Sequence, residues 1–207
     1  LKAQFCMNVS NPKASYDLGL GYIQRSNNTP QSYEVYAHEW TDLTATDNSY
    51  GITILNDSKY GWDKPDNNTL RLSLLYSPKV SRRYTYQARQ DLGHHVFTYS
   101  IVGHSGALDV TRAVRQSTVL NSPVRGFIAP KHEGNGEGRV LSFVSCDNPN
   151  VMIHALKKAE TGNEYIVRIY EQGGKGEQTA HLSFAGSIMS AHEADGTEKI
   201  IGPANSA

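Results

Sequence analysis

The sequence predicts an all-β fold, and three observations carry that expectation. Apolar side chains recur at every second position in several short stretches, clusters of Gly, Pro, Asn and Asp separate those stretches, and no long segment repeats with helical spacing. Twelve Tyr and eighteen Gly among 207 residues point the same way, because aromatics favour strands and glycines favour tight turns. Many short strands at this spacing form a sandwich or a barrel.

Along the chain, residues 33–40 and 50–55 are the first strand candidates, with Asp47-Asn48-Ser49 as the turn between them. The turn signal Asp63-Lys64-Pro65-Asp66 precedes residues 70–76, which set Leu70, Leu72, Leu74 and Tyr76 on one face against Arg71 and Ser73. Residues 95–101 set His95, Phe97, Tyr99 and Ile101 against Val96, Thr98 and Ser100. Both stretches read as half-buried strands. Residues 106–117 read either as a helix capped by Ser105, with Leu108, Val110, Ala113 and Val114 loosely on one face, or as a loop across the sandwich mouth. The stretch from Pro123 to Gly138, with Pro130, Gly134 and Gly136, breaks the pattern and divides the chain into 1–125 and 126–207. Beyond it, 139–145, 151–157 and 165–171 read as a meander, with Tyr165, Val167 and Ile169 opposite Arg168. The turns of that meander are Asp147-Asn148-Pro149-Asn150 and Thr161-Gly162-Asn163. Residues 180–184 are the last strand candidate, preceded by the Gly173-Gly174-Lys175-Gly176 turn.

Charge narrows the function. Lys plus Arg equals Asp plus Glu, twenty each, so the chain lacks an electrostatic footprint for nucleic acid or an anionic membrane and suits a neutral partner such as a sugar. It lacks an apolar run of about 18 residues, and Leu1-Lys2-Ala3-Gln4-Phe5 has neither the basic start nor the apolar core of a signal peptide. With no initiator Met, the expectation is a soluble piece of a longer polypeptide; its compartment is left open. Cys6 and Cys146, far apart and outside any CxxC spacing, read as buried free thiols rather than a disulfide or a metal pair. Asn-x-Ser/Thr sequons begin at Asn8, Asn27, Asn56 and Asn67; they matter only in a eukaryotic secreted protein, and Asn-rich loops produce them by chance.

Catalytic patterns are missing. The chain contains no GxSxG elbow and no phosphate loop, and Gly134-x-Gly136-x-Gly138 lacks a strand–helix setting. His94, His95 and His104 invite a metal reading, but a strand would turn His94 and His95 to opposite faces, so no metal site is expected. Glu34, Glu39, Asp42, Asp57 and Asp63 cluster in the sequence, yet a retaining glycosidase needs two carboxyl groups roughly 5–5.5 Å apart and no pair can be placed so. Solvated strand faces and turn caps explain them. Trp40, Trp62, Tyr36, Tyr50 and Tyr60 crowd the first third, where they serve either as a core or as faces for stacking on sugar.

The run from Tyr33-Glu34-Val35-Tyr36-Ala37-His38-Glu39-Trp40-Thr41-Asp42-Leu43-Thr44 to Tyr50-Gly51-Ile52-Thr53-Ile54-Leu55-Asn56-Asp57-Ser58-Lys59-Tyr60-Gly61-Trp62 closely resembles the C-terminal β region of the family 38 glycoside hydrolases, the α-mannosidases. Leu70 to Leu75 closed by Ser77-Pro78, then Asp91, Gly93, His95, Phe97 and Tyr99, and later Lys157-Lys158-Ala159-Glu160 with Arg168-Ile169-Tyr170-Glu171, extend the resemblance to about residues 20–190. It implies a large, supersandwich-like antiparallel β-sandwich followed by a smaller β-sandwich. It also implies a non-catalytic role beside an N-terminal catalytic domain of the same polypeptide, which would hold the zinc ion and the Asp nucleophile for retaining hydrolysis of α-mannosides. No cofactor is then expected in this chain. The loop elements that would reach the sugar carry Asn56, Asp57, Tyr60, Asp91 and His95; for Asn56 and Asp57 the competing reading is an Asx turn at a strand exit, and for Tyr60 a ring that pins the loop. Arg82 and Arg83 read as interdomain partners or as solvated surface. The alternatives are a stand-alone carbohydrate-binding module, whose platform would use Trp40 or Trp62, and a purely structural β domain.

Overall fold

A computed structural model describes residues 1–78, 82–84, 86, 91–134 and 140–204. The chain divides into two compact units, Leu1–Arg125 and Gly126–Ala207.

The first unit is built on two antiparallel sheets. One contains β1 (Lys2–Cys6), β4 (Val35–Tyr36), β7 (Gly61–Asp63) and β8 (Thr69–Ser73), in the order β1-β8-β7-β4. The other contains β2 (Lys13–Asp17), β3 (Tyr22–Ser26), β5 (Trp40–Thr44), β6 (Tyr50–Asn56) and β9 (Tyr99–Ser105), in the order β3-β2-β5-β6-β9. Period-two alternation sends Ala14, Tyr16, Leu43 and Ile54 from the larger sheet to meet Trp62, Leu70 and Leu72 from the smaller one, and all of these are buried. The opposite face of the larger sheet is covered as well. There Trp40 and Leu55 pack with Val110 and Ala113 of α1 (Val110–Asn121). A sheet covered on both faces explains why Trp40, Thr41, Asp42 and Leu43 are buried in succession, with no polar face to alternate.

The helix starts later than position 106. Gly106 has φ +77°, a left-handed backbone that cannot open a helix, and the cap is Asp109, whose carboxylate accepts from the Arg112 N–H at 3.1 Å. Val110, Ala113 and Ser117 are its buried stripe, and Pro123 follows its end. The Asp47-Asn48-Ser49 turn does join β5 to β6, with Asn48 at φ +57° and Ser49 N–H bonded to Asp47 Oδ1.

Several strand expectations shift. The strand read at 70–76 ends at Ser73, and Tyr76 lies exposed. The strand read at 95–101 begins only at Tyr99, and its faces are reversed. Ser100, Val102 and His104 pair with Leu55, Thr53 and Gly51 and turn toward the helix, while Tyr99 and Ile101 remain exposed at the sheet edge. The apolar period in the sequence is real, but at the edge of the sheet that side is covered only in part, by Phe5 packing edge-on against Tyr99.

In the second unit, β10 (Val144–Cys146) pairs with β13 (Leu182–Phe184), β11 (Val151–Lys158) with β12 (Tyr165–Glu171), and β14 (His192–Ala194) with β15 (Ile200–Pro203). The expected meander therefore holds for β11 and β12 but not for β10, whose bonds go to β13. Arg139, and Gly136 and Gly138 of the preceding loop, lie outside the described residues. Among the described residues of this unit the one buried side chain is Gln172, which donates to Pro149 O. Cys6 is exposed and Cys146 partly so, which corrects the reading of two buried thiols; both are free. Cys6 closes the outward face of β1, whose inward residues Ala3 and Phe5 pack on the core. No helix among the described residues is long and apolar enough to cross a membrane.

Candidate functional site

The loop after β6 and the segment before β9 meet. Asn56 closes β6 and is buried, with Nδ2 donating to His38 O at 3.0 Å and Oδ1 accepting from the N–H groups of Ser58 and Lys59 at 3.2 and 2.7 Å. This is an Asx turn that fixes the strand exit. Asp57 points outward. Its N–H donates to Thr98 O at 3.1 Å, Thr98 N–H returns a bond to Oδ2 at 3.1 Å, and Ser58 Oγ donates to Oδ1 at 2.7 Å. Partial burial works against charge on Asp57, but the Ser58 and Thr98 donors outweigh it and hold the carboxyl below its usual range.

Beside this clip, Lys59 Nζ lies 4.4 Å from the Phe97 ring centre, and the His95 ring stacks on Phe97 at 5.8 Å. Asp91, at φ +56°, accepts through its carbonyl from His95 Nε2 at 3.1 Å. Asp57, Asp91 and His95 are thus joined through Thr98, Lys59 and Phe97. Tyr60 is exposed and meets a different group, packing edge-on against His38, which in turn meets Tyr36. Arg25 lies 4.8 Å from the Tyr36 ring and donates to Tyr36 O at 2.7 Å. The outcome is a polar rim with exposed acceptors and ring faces, suited to bonding hydroxyls and stacking on C–H surfaces.

Other expected candidates have structural roles. Trp40 and Trp62 are buried, so neither forms a sugar platform. The hydroxyl of Tyr50 donates to Asn8 O. Asp63, expected on a solvated strand face or as a turn cap, has no exposed side-chain surface and pairs with Lys2 and, at 2.6 Å, with Arg71. Burial opposes its charge, but these two cations and Asn28 prevail and hold its carboxyl below the ordinary range. Asp42, with the same expectation, lies buried beneath the helix. His94 and His95 stand outside any strand, so the opposite-face argument does not apply to them. Among the described residues no three His, Cys, Asp or Glu side chains converge to hold a metal ion; the residues present do not fit a zinc site.

Comparison with known proteins adds the family. Residues 1–81 match the Glycosyl hydrolases family 38 C-terminal domain, and residues 150–206 match the Glycosyl hydrolases family 38 C-terminal beta sandwich domain. The chain is 34% identical over 182 residues to Alpha-mannosidase 2C1 of Mus musculus, a match covering 84% of this chain and 16% of that protein. It is 30% identical over 217 residues to an Alpha-mannosidase of Saccharomyces cerevisiae, covering 96% of this chain and 19% of the relative. The crystal structure of an alpha-mannosidase from Enterococcus faecalis V583 shares the fold at TM-score 0.69 and 14% identity, covering 88% of this chain and 21% of that one. The chain thus spans less than a fifth of the length of these curated relatives.

Proposed function

This chain belongs to the C-terminal β region of the family 38 glycoside hydrolases, and on that premise we propose that it is the non-catalytic β region of a retaining, zinc-dependent α-mannosidase. In this reading residues 1–125 are part of a large β-sandwich and residues 126–207 complete or follow it. A catalytic domain elsewhere in the same polypeptide holds the zinc and the nucleophile. The rim around Asp57, Asp91 and His95, with Asn56 shaping its turn and Tyr60 beside it, reaches the mannoside.

The observation that carries the supporting role is the β11–β12 hairpin. Its register puts Leu156, Tyr165, Val167 and Ile169 on one face, with Lys158 at its end opposite Tyr165, and Leu156, Tyr165 and Ile169 are 40, 75 and 47% exposed. Its other face carries Lys157 and Arg168, both paired to Glu198, among the partly buried Met152, Ala155, Ile166 and Tyr170. A two-stranded ribbon with a bare apolar face is at best marginally stable in water, so that face calls for a cover. The catalytic domain is the cover that fits the length of the relatives.

The direct test is to assay an aryl α-mannoside with this chain alone and with the full-length polypeptide. Activity is expected only in the latter, and is expected to fall on chelation of zinc. Hydrolysis by the chain alone would overturn the reading. The exposed Tyr36, His38 and Tyr60 rings favour one alternative, a carbohydrate-binding module. Calorimetric titration of this chain with mannose oligosaccharides distinguishes it, since the accessory reading expects no heat from the isolated region.

A further inference from the structure

Asp42 on β5 and His104 on β9 stand on strands separated by β6, and their side chains meet across it. His104 Nε2 lies 2.9 Å from Asp42 Oδ2, and both side chains are nearly inaccessible, at 7% and 1%. The bridge is possible because the intervening residue is Gly51, paired directly with His104 and with Thr44. A Cβ at Gly51 would fall 2.5 Å from His104 Nε2 and 2.7 Å from Thr44 Oγ1, closer than real contacts allow. Two hydroxyls complete the set, Thr53 Oγ1 donating to Asp42 Oδ2 at 2.7 Å and Thr44 Oγ1 to Oδ1 at 2.6 Å.

Since both threonines donate, Asp42 acts as an acceptor throughout, and His104 supplies its proton from Nε2. A buried carboxylate is costly unless a cation is paired with it. Among the described residues His104 is the one ion-pair partner of Asp42. The other charged groups that face this pair are Asp109 and Arg112, from the entry of α1, and Lys13, from β2. The Asp109 carboxylate is engaged as the helix cap. The second ring nitrogen of His104, Nδ1, is buried without a hydrogen bond.

We propose that Asp42 and His104 form a proton-operated tether, which in its protonated state draws the edge strand β9 and the turn into α1 onto the centre of the larger sheet as an ion pair, and which weakens to a neutral Nε2–H hydrogen bond when His104 gives up its Nδ1 proton. The hydrogen bond to Asp42 outweighs burial and, with the Asp42 charge, holds His104 above the ordinary histidine range. A base whose folded pKa is raised adds stability below its unfolded value, about 6.5, and that stability is lost as pH rises through the folded value. The tether therefore holds in mild acid and loosens toward alkaline pH. Strand β9 begins at Tyr99, directly after the Thr98 that is clipped to Asp57, so the strand tethered at one end carries the candidate sugar rim at the other.

Two measurements on this chain test the tether. Thermal unfolding of wild type and His104→Gln from pH 5.5 to 8.5 should show a wild-type advantage of about 2–4 °C in acid that closes as pH rises. Parallel midpoints across the range would overturn the proposal. Should His104→Gln fail to fold, NMR titration of the His104 ring in wild type decides alone: a midpoint above about 6.5, accompanied by faster exchange of the Val102 and His104 amides beyond the intrinsic pH effect, is expected. A midpoint at or below that value, or amides that follow only the intrinsic rate, would overturn it.

Discussion

Asn56 uses its whole amide inside the fold, on His38 and on two backbone N–H groups, whereas its neighbour Asp57 turns outward onto the Thr98 clip. Asn56→Ala should therefore cost about 1–3 kcal/mol in denaturant unfolding of this chain, because buried donors and an acceptor lose their partner. Asp57→Ala should cost less than that, since the side chain is exposed and loses only its bonds from Thr98 and Ser58, and under the proposed function it should raise KM for an aryl α-mannoside in the full-length polypeptide while the zinc content stays the same. Asp63 sets a second expectation. Its lowered carboxyl pKa gives stability that is present above the usual carboxylate value, near 3.9, and lost as pH falls through the folded value. Asp63→Asn should thus flatten the acid limb of the unfolding curve below about pH 4. The sequence offered Asn56 both a binding and a turn role, and only burial of the strand end decides between them. The burial of Asp42 and Asp63 was not legible at all, since their cations, His104, Lys2 and Arg71, lie 62, 61 and 8 residues away along the chain.

At the scale of elements, legibility follows from how many faces are covered. Strand β8 alternates cleanly between the sandwich core and the outside, and its inward Leu70 and Leu72 were readable from period two. Strands β5 and β6 are covered on both faces; β6 matches the strand read at 50–55, whereas the strand read at 33–40 holds only the short β4 (Val35–Tyr36) and the first residue of β5, which runs on from Trp40 to Thr44. Strands β1 to β3 carry little alternation: β1 offers the core only Ala3 and Phe5, and β3 is an edge strand with Tyr22 and Ile23 exposed. Val110 and Ala113 left the choice between a helix and a crossing loop open; the structure shows the helix, whose start depends on the backbone of Gly106 and on Asp109 as acceptor. Replacing that cap by Asp109→Ala should lower stability by about 1 kcal/mol, a fall of about 2–4 °C in the thermal midpoint. A calorimetric scan near neutral pH checks it.

Across the whole molecule the two units differ in how they are held. The first has a core between its sheets and a second one under its helix, while the described residues of the second bury no apolar side chain. Ile169→Ser should accordingly change the unfolding midpoint of this chain by no more than about 0.5 kcal/mol equivalent, as a surface substitution does, yet destabilise the full-length enzyme. The family resemblance is carried by residues 33–62, a run that spans β4, β5, β6, the turn between β5 and β6, and the buried Trp62 at the start of β7. In the second unit the long strands β11 and β12 match the strands read at 151–157 and 165–171, whereas β10, β13 and β14, of three residues each, leave period two little length to repeat. A hairpin that leaves Leu156, Tyr165 and Ile169 uncovered gains from any neighbour that arrives to shield them. Order of synthesis then matters to the molecule, and a chain cut short of that neighbour would show Tyr165 and Ile169 to chaperones and proteases.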